Sequence, residues 1–339
     1  MEVTMKLAAL SLRFVCLFSL ASLGCGAPER EEPAAPAASA SVESDFRCEP
    51  LSAEALRVPA PPAAWGVGPS ASAVTPSGAR PCPTGQVPRA VSHPEPRHHR
   101  APMLAANVPA SRPVSASADA YYYAGVMKPT ADTGFRLGVG ALIQIANPAV
   151  ANWGDQVTAE TAIVQGANTS LVEVGYRKWQ TTYPTLLLGN WVGGVFKHVT
   201  GWVQTHPSYY PGMDLTAYVG VKVRFYILYS GGNWWVWFND GWMGYFPGSL
   251  WGGSFTSGDM AHWYGEVFDY GARVPPITDM GNGLFAADPA ASAIDEMCTH
   301  SGTTCYLMSG AWTSTTHAAY YSLSYPGGAS LRYGGNGGG

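Results

Sequence analysis

Glu173 lies in Ser170-Leu171-Val172-Glu173-Val174-Gly175-Tyr176, and Glu266 in His262-Trp263-Tyr264-Gly265-Glu266-Val267-Phe268-Asp269. Each is a carboxylate inside an apolar, aromatic run with strand character. Glutamate is depleted in strands and seldom buried without a partner. From Asp119 to the C-terminus there are four glutamates, and two hold such positions. The other two, Glu160 and Glu296, read as lying in more polar surroundings. Two carboxyls held close cannot both ionise cheaply, so one keeps a proton while the other acts as base. Such a pair activates water against an amide or a glycosidic bond.

Strands must position this pair. Alternation puts Glu173 on the face opposite Val172, Val174 and Tyr176. Glu266 shares its face with Tyr264 and Phe268, opposite Trp263, Gly265 and Val267. If the two strands are neighbours, both carboxyls project into one groove. After about Ala118, short apolar or alternating runs recur between Gly, Pro, Asn and Asp. They predict strands at 137–147, 158–165, 170–179, 201–206, 220–230, 233–239, 261–269 and 317–325. Gly231-Gly232-Asn233 reads as a hairpin turn and Asn239-Asp240-Gly241 as another. No long segment carries helical periodicity. The fold expected is all-β: an antiparallel β-sandwich of two curved sheets with a concave active-site cleft, preceded by a low-complexity N-terminal segment.

Composition agrees with an exported β protein. Charged residues make up 12% of 339, about half the usual share. The net charge of −4 and the lack of a basic stripe argue against nucleic acid as a partner. Residues 1–26 read as a signal peptide: Lys6 and Arg13 precede the apolar run 14–21, and Gly24-Cys25-Gly26 follows. Gly24-Cys25 is similar to a bacterial lipoprotein cleavage box, which makes Cys25 a candidate lipid anchor. The alternative is an ordinary signal cut near Ala27. Either way the protein is expected outside the cytoplasm, secreted or held at the cell surface.

Residues 27–118 read as linker and pro-segment, and 119–339 as the catalytic domain. Seventeen of the 27 prolines fall before Asp119. Arg97-His98-His99-Arg100 closes the pro-segment as a solvated, protease-sensitive loop. Export favours disulfides among Cys48, Cys82, Cys298 and Cys305. Proximity suggests Cys48–Cys82 and Cys298–Cys305, among three possible pairings. No CxxC or HExxH occurs, so neither a metal nor a cofactor is expected. A monomer is expected.

Several segments, in preserved order, resemble the neprosin family of secreted glutamic peptidases. They are Cys82-Pro83-Thr84-Gly85-Gln86-Val87-Pro88, Tyr121-Tyr122-Tyr123-Ala124, Gly140-Ala141-Leu142-Ile143-Gln144, Glu173-Val174-Gly175-Tyr176, Gly201-Trp202-Val203-Gln204, Trp242-Met243-Gly244-Tyr245-Phe246-Pro247, Gly265-Glu266-Val267 and Met280-Gly281-Asn282-Gly283-Leu284-Phe285. The match spans roughly residues 80–320. The resemblance implies that Glu173 and Glu266 are the catalytic glutamates, that cleavage follows proline, and that the chain is made as a zymogen. Two departures stand out. Residues 222–238 lack the cysteine pair of plant members, and Phe246 stands where tryptophan is usual.

Gln204 and Tyr176 are candidate oxyanion donors. Tyr264 and Trp263, beside Glu266, are candidate substrate contacts. The bland reading of Gln204 and Tyr176 is cleft lining or strand packing. Trp234, Trp235 and Trp237 alternate faces, so some are expected in the core and some exposed as a platform for proline rings. His198, His206 and His262 read as surface or hydrogen-bonded histidines. Three functions follow: a glutamic endopeptidase acting in acid on proline-rich protein or peptide substrates, a sandwich-type glycoside hydrolase, or a lectin-like binding module whose glutamates are tied to Arg177, Lys178 or Arg224.

Overall fold

Period-two alternation dominates the chain and builds it almost wholly from antiparallel strands. The structure, a computed structural model, describes residues 46–61, 82–91, 120–134, 136–166, 169–179 and 183–338. The signal region, Cys25 and the Arg97–Arg100 cluster lie outside the described residues. In chain order the strands are β1 (Phe46–Pro50), β2 (Gln86–Ala90), β3 (Ala120–Pro129), β4 (Gly138–Gln144), β5 (Gln156–Gln165) and β6 (Ser170–Lys178). There follow β7 (Thr185–Val192), β8 (Val195–Phe196), β9 (Val203–Gln204), β10 (Lys222–Ser230), β11 (Asn233–Phe238) and β12 (Gly241–Pro247). The last are β13 (Met260–Asp269), β14 (Ala293–His300), β15 (Cys305–Leu307), β16 (Trp312–Thr315), β17 (Ser322–Ser324) and β18 (Leu331–Gly334).

Two sheets carry the fold. One has seven strands in the order β16-β3-β13-β5-β6-β7-β8. The other has nine, in the order β17-β18-β14-β4-β10-β11-β12-β9 with β15 beside β14. Inward residues of both sheets form one core: Val172, Val174, Tyr176, Trp263 and Val267 from the first, Val139, Ile143, Phe225, Ile227 and Val236 from the second. The indole N–H of Trp263 on β13 donates to the Gly140 carbonyl on β4 at 2.9 Å, pinning one sheet to the other. This is the β-sandwich expected.

Gly231 and Gly232 join β10 to β11, both at positive φ (59° and 83°), as a two-residue hairpin demands. Asn239 also takes positive φ, at the β11–β12 turn. Two expected strands shrink. Only Val203–Gln204 of 201–206 pairs, because Gly201 turns the chain at φ 80°. Only Ser322–Ser324 of 317–325 pairs, because Tyr320 and Tyr321 both donate their N–H to the His317 carbonyl and close a turn.

Part of the stretch read as linker or pro-segment is folded. β1 and β2 form a hairpin-like pair stapled by Cys48–Cys82, with helix α1 (Ala53–Arg57) capped by Ser52. Cys298–Cys305 clips β14 to β15, so both expected disulfides are present. The N-terminal unit lies on the nine-stranded sheet. The Trp242 indole donates to the Pro61 carbonyl at 2.8 Å, and Cys82 N–H donates to the Pro207 carbonyl at 3.1 Å. Ala55, Leu51 and Val58 pack with Trp235, Trp237, Trp242 and Tyr245. This corrects the expectation of exposed tryptophans: Trp234 faces the sandwich core, and the alternate pair Trp235 and Trp237 is buried under this unit.

Candidate active site

Register builds the site. β5 lies between β13 and β6, so the strands of Glu266 and Glu173 are not neighbours. Glu266 pairs with Thr158 on β5, and Glu173 pairs with Ala162. Thr158, Glu160 and Ala162 point to one face by alternation. Glu160, Glu173 and Glu266 therefore share the outer face of the seven-stranded sheet, on a diagonal with Glu160 at its centre. Strands lie about 4.8 Å apart and residues rise about 3.3 Å. Glu160 is then about 8 Å, Cα to Cα, from each of the others, which stand about 16 Å apart.

Glu160 is the third carboxylate of this face, which the sequence does not single out, and its surroundings are not polar: it is fully buried, at 0% exposure. Thr158 and Thr161 gave the segment a polar look. Yet a strand flanked on both sides encloses even small polar residues. The overlooked signal was the same as for the other two, a carboxylate in mid-strand.

The rest of the face is aromatic and polar. Tyr264 pairs with Glu160 across β13–β5, and its hydroxyl donates to Glu160 Oε2 at 3.2 Å. Tyr123 on β3 pairs with Glu266. Its hydroxyl is near enough to favour the Glu266 carboxylate but makes no hydrogen bond of ordinary geometry. Arg177 sits opposite Thr158, stacked on Trp179 at 4.0 Å. His262 lies opposite Ala162, buried. Gly189 lies opposite Glu173, and this glycine makes the carboxyl's space. A Cβ there would stand 2.5 Å from Glu173 Oε1 and 2.7 Å from Phe196 Cε2.

The electrostatics follow from burial. Glu173 is held well above the usual carboxylate range, first by desolvation, then by the charges of Glu160 and Glu266; Trp191 and Arg177 pull the other way. Glu266 is likewise pushed well up by desolvation and by Glu160, with Tyr123 opposing. Glu160 is raised less, to about 7, because Thr158, Tyr264 and Arg177 favour its ionised form against the same burial. Burial lowers His262 to about 4, so it is neutral. The Oε1 atoms of all three glutamates lack hydrogen-bond partners. Buried polar atoms are nearly always satisfied, so such a cluster marks a place built for something other than stability.

The structure separates the other sequence candidates from this face. Tyr176 and Trp263 point the opposite way, into the sandwich core, because each is an odd number of positions from its glutamate. Tyr176 shares its hydroxyl with Tyr333 at 3.5 Å. Gln204 belongs to the nine-stranded sheet, where it accepts from the Trp202 indole at 2.8 Å and donates to the His206 and Tyr209 carbonyls. None of these three reaches the carboxyls, and Tyr264 does. His206 stacks on Tyr209 and accepts from two backbone N–H groups, a structural role. Arg224 pairs with Glu296 at 2.9 Å, on the other sheet. The carboxyls do not line an open cleft, since Glu173 and Glu266 are each 1% exposed.

The neprosin family model matches residues 155–336, more than half of the 339-residue chain. The chain belongs to the neprosin family. It is thereby a peptidase of the glutamic class. The neprosin match takes in all three glutamates of the buried face and both strands of the flanking pair. Among solved structures, the chain is similar to scytalido-glutamic peptidase with a peptide-based transition-state analogue, at 10% identity and TM-score 0.41. It is similar also to SCP-B, an eqolisin-family peptidase in complex with the tripeptide Ala-Ile-His, at 8% identity and TM-score 0.41. Each likeness covers 65% of this chain and 100% of the other. A search of curated proteins returned no match.

Proposed function

We propose that this neprosin-family protein is an exported endopeptidase that cleaves after proline in acid, with Glu173 and Glu266 as its working pair. One observation carries the reading: both glutamates lie on one buried sheet face, each with an acceptor atom left unsatisfied. Their raised affinity for protons keeps a carboxylic acid available at each end of the face, and the member that gives up its proton first serves as the base. The ionised member takes a proton from water, whose oxygen attacks the amide carbon. The protonated member donates to the carbonyl oxygen, and the departing amine leaves with a proton. Each transfer contributes roughly 10²–10⁴-fold. Tyr264 and Tyr123, on the same face, supply aromatic surface and hydroxyl donors for the peptide.

The burial of the pair fits a form that must open before it acts, in line with the zymogen expected from the family resemblance. A non-catalytic role has less support. It needs each glutamate tied to a basic partner, and among the described residues no ion pair holds Glu160, Glu173 or Glu266. The test is incubation of the full chain with proline-containing peptides from acid to neutral pH, beside Glu173→Gln and Glu266→Gln. Cleavage after proline by the wild type, lost in both variants with a melting temperature no lower than that of the wild type, is expected. Undiminished cleavage or self-processing by either variant overturns the assignment.

A further inference from the structure

The proposed reaction uses two of the three buried glutamates. Glu160 remains, and its place is central: one strand and two residues from each of the others. It also has the best support for a charge. The Tyr264 hydroxyl donates to it at 3.2 Å, and Thr158 and Arg177 also favour its ionised form. Around it, β13 presents Tyr264, Glu266 and His262, β6 presents Glu173 and Arg177, and β3 presents Tyr123 behind Glu266. Arg177 is the only cation among these described neighbours, since His262 is held neutral. One positive charge offsets one carboxylate, and the centre of the diagonal is where that carboxylate sits most cheaply.

We propose that Glu160 is a positioning residue of the peptidase site, whose negative charge between Glu173 and Glu266 keeps the proton on that pair to higher pH than the pair alone would hold it. The inference rests on the reading of Glu173 and Glu266 as the working pair. The ordering of proton affinities agrees: Glu160 ionises first, near 7, and its charge pushes both neighbours further up. Below about pH 7 Glu160 is itself protonated, so removing its charge lowers the upper limit of the active window and leaves the acid limb in place.

The experiment compares wild type, Glu160→Gln and Glu160→Asp as full chains. The pH profile of kcat/KM is taken on a proline-containing peptide. The protonated-carboxyl band is titrated in the infrared on the same samples. Glu160→Gln keeps the acceptor for Tyr264 but not the charge. Its upper pH limit is expected to fall by about one unit or more, and the midpoints of the remaining buried carboxyls to fall with it. KM is expected to hold. Glu160→Asp, which restores the charge, is expected to recover part of the shift. An unchanged or raised limit in Glu160→Gln, with unchanged carboxyl midpoints, overturns the inference, because a merely structural residue alters stability and not this profile. If Glu173→Gln or Glu266→Gln keeps full activity, the pair reading falls by itself. The infrared midpoints then decide the role of Glu160: lowered ones uphold its charge on the face, and unchanged ones reject it.

Discussion

Burying Glu160 makes the folded protein less stable in neutral solution than in acid. The folded chain holds the Glu160 proton to about pH 7, while an exposed glutamate releases it near 4.5. Between those values the folded state binds more protons than the unfolded one, so stability falls as pH rises. Below the lower value nothing is lost. One pKa unit is worth about 1.4 kcal/mol, so the loss through Glu160 is about 3 kcal/mol once pH exceeds about 7. The group is fully buried, so solvent screening does not reduce the figure. Glu173 and Glu266 are shifted the same way and further, and their loss continues above neutrality. Glu160→Gln removes the first portion and relieves the repulsion on the other two. Urea unfolding followed by tryptophan fluorescence, at about pH 4 and about pH 7.5, reads the difference. The variant is expected to match wild type in acid and to exceed it by about 3 kcal/mol at the higher pH. Parallel stability curves, or a variant weaker than wild type above neutrality, refute the reasoning.

Other perturbations have definite outcomes. Glu173→Gln and Glu266→Gln are each expected to lower kcat by roughly 10²–10⁴-fold while raising the melting temperature at neutral pH, since each removes a costly buried carboxylate. Gly189→Ala puts a methyl 2.5 Å from Glu173 Oε1; kcat is expected to drop with little change in KM, and a wild-type kcat would show that the carboxyl has room to move. Trp242→Phe removes the 2.8 Å bond to Pro61, and limited proteolysis is expected to release the N-terminal unit faster. Reducing Cys48–Cys82, separated by 34 residues, is expected to cost more than reducing Cys298–Cys305, separated by 7; the loop-entropy relation gives about 4 against about 2.5 kcal/mol, readable by urea unfolding of the two Cys→Ser pairs.

The sheet elements that bury one face were legible because alternation is a strong local signal. In β6 and β13, Val172, Val174, Trp263 and Val267 mark the core side, and that alone places Glu173 and Glu266 on the other. The same rule, applied strictly, already set Tyr176 and Trp263 apart from the glutamates. They became site candidates by sequence proximity, and proximity along a strand means opposite faces. Strand order was not legible. Nothing local in Gln156-Val157-Thr158-Ala159-Glu160-Thr161-Ala162 says that this strand runs between the two glutamate strands, since order is set by long-range pairing. Burial of Trp235 and Trp237 depended likewise on residues 51–58, far off in sequence, packing over them.

The inserted strand changes what kind of acid/base device this is. With adjacent strands, two carboxyls meet directly, and their proton affinities split through mutual repulsion alone. Here the flanking glutamates stand on strands that are not neighbours, and between them sits a third carboxyl that itself titrates and adds its own repulsion. Among the described residues the face presents three acids and one guanidinium, all buried. Its first charge settles at the centre, where Tyr264 and Arg177 support it, and every later ionisation is opposed from that point. A device so arranged keeps an acid proton available at the ends of the diagonal over a broad span of pH. It works only while the centre remains a carboxylate of the right reach, which is why shortening, neutralising or crowding that one side chain is the sharpest perturbation the fold allows.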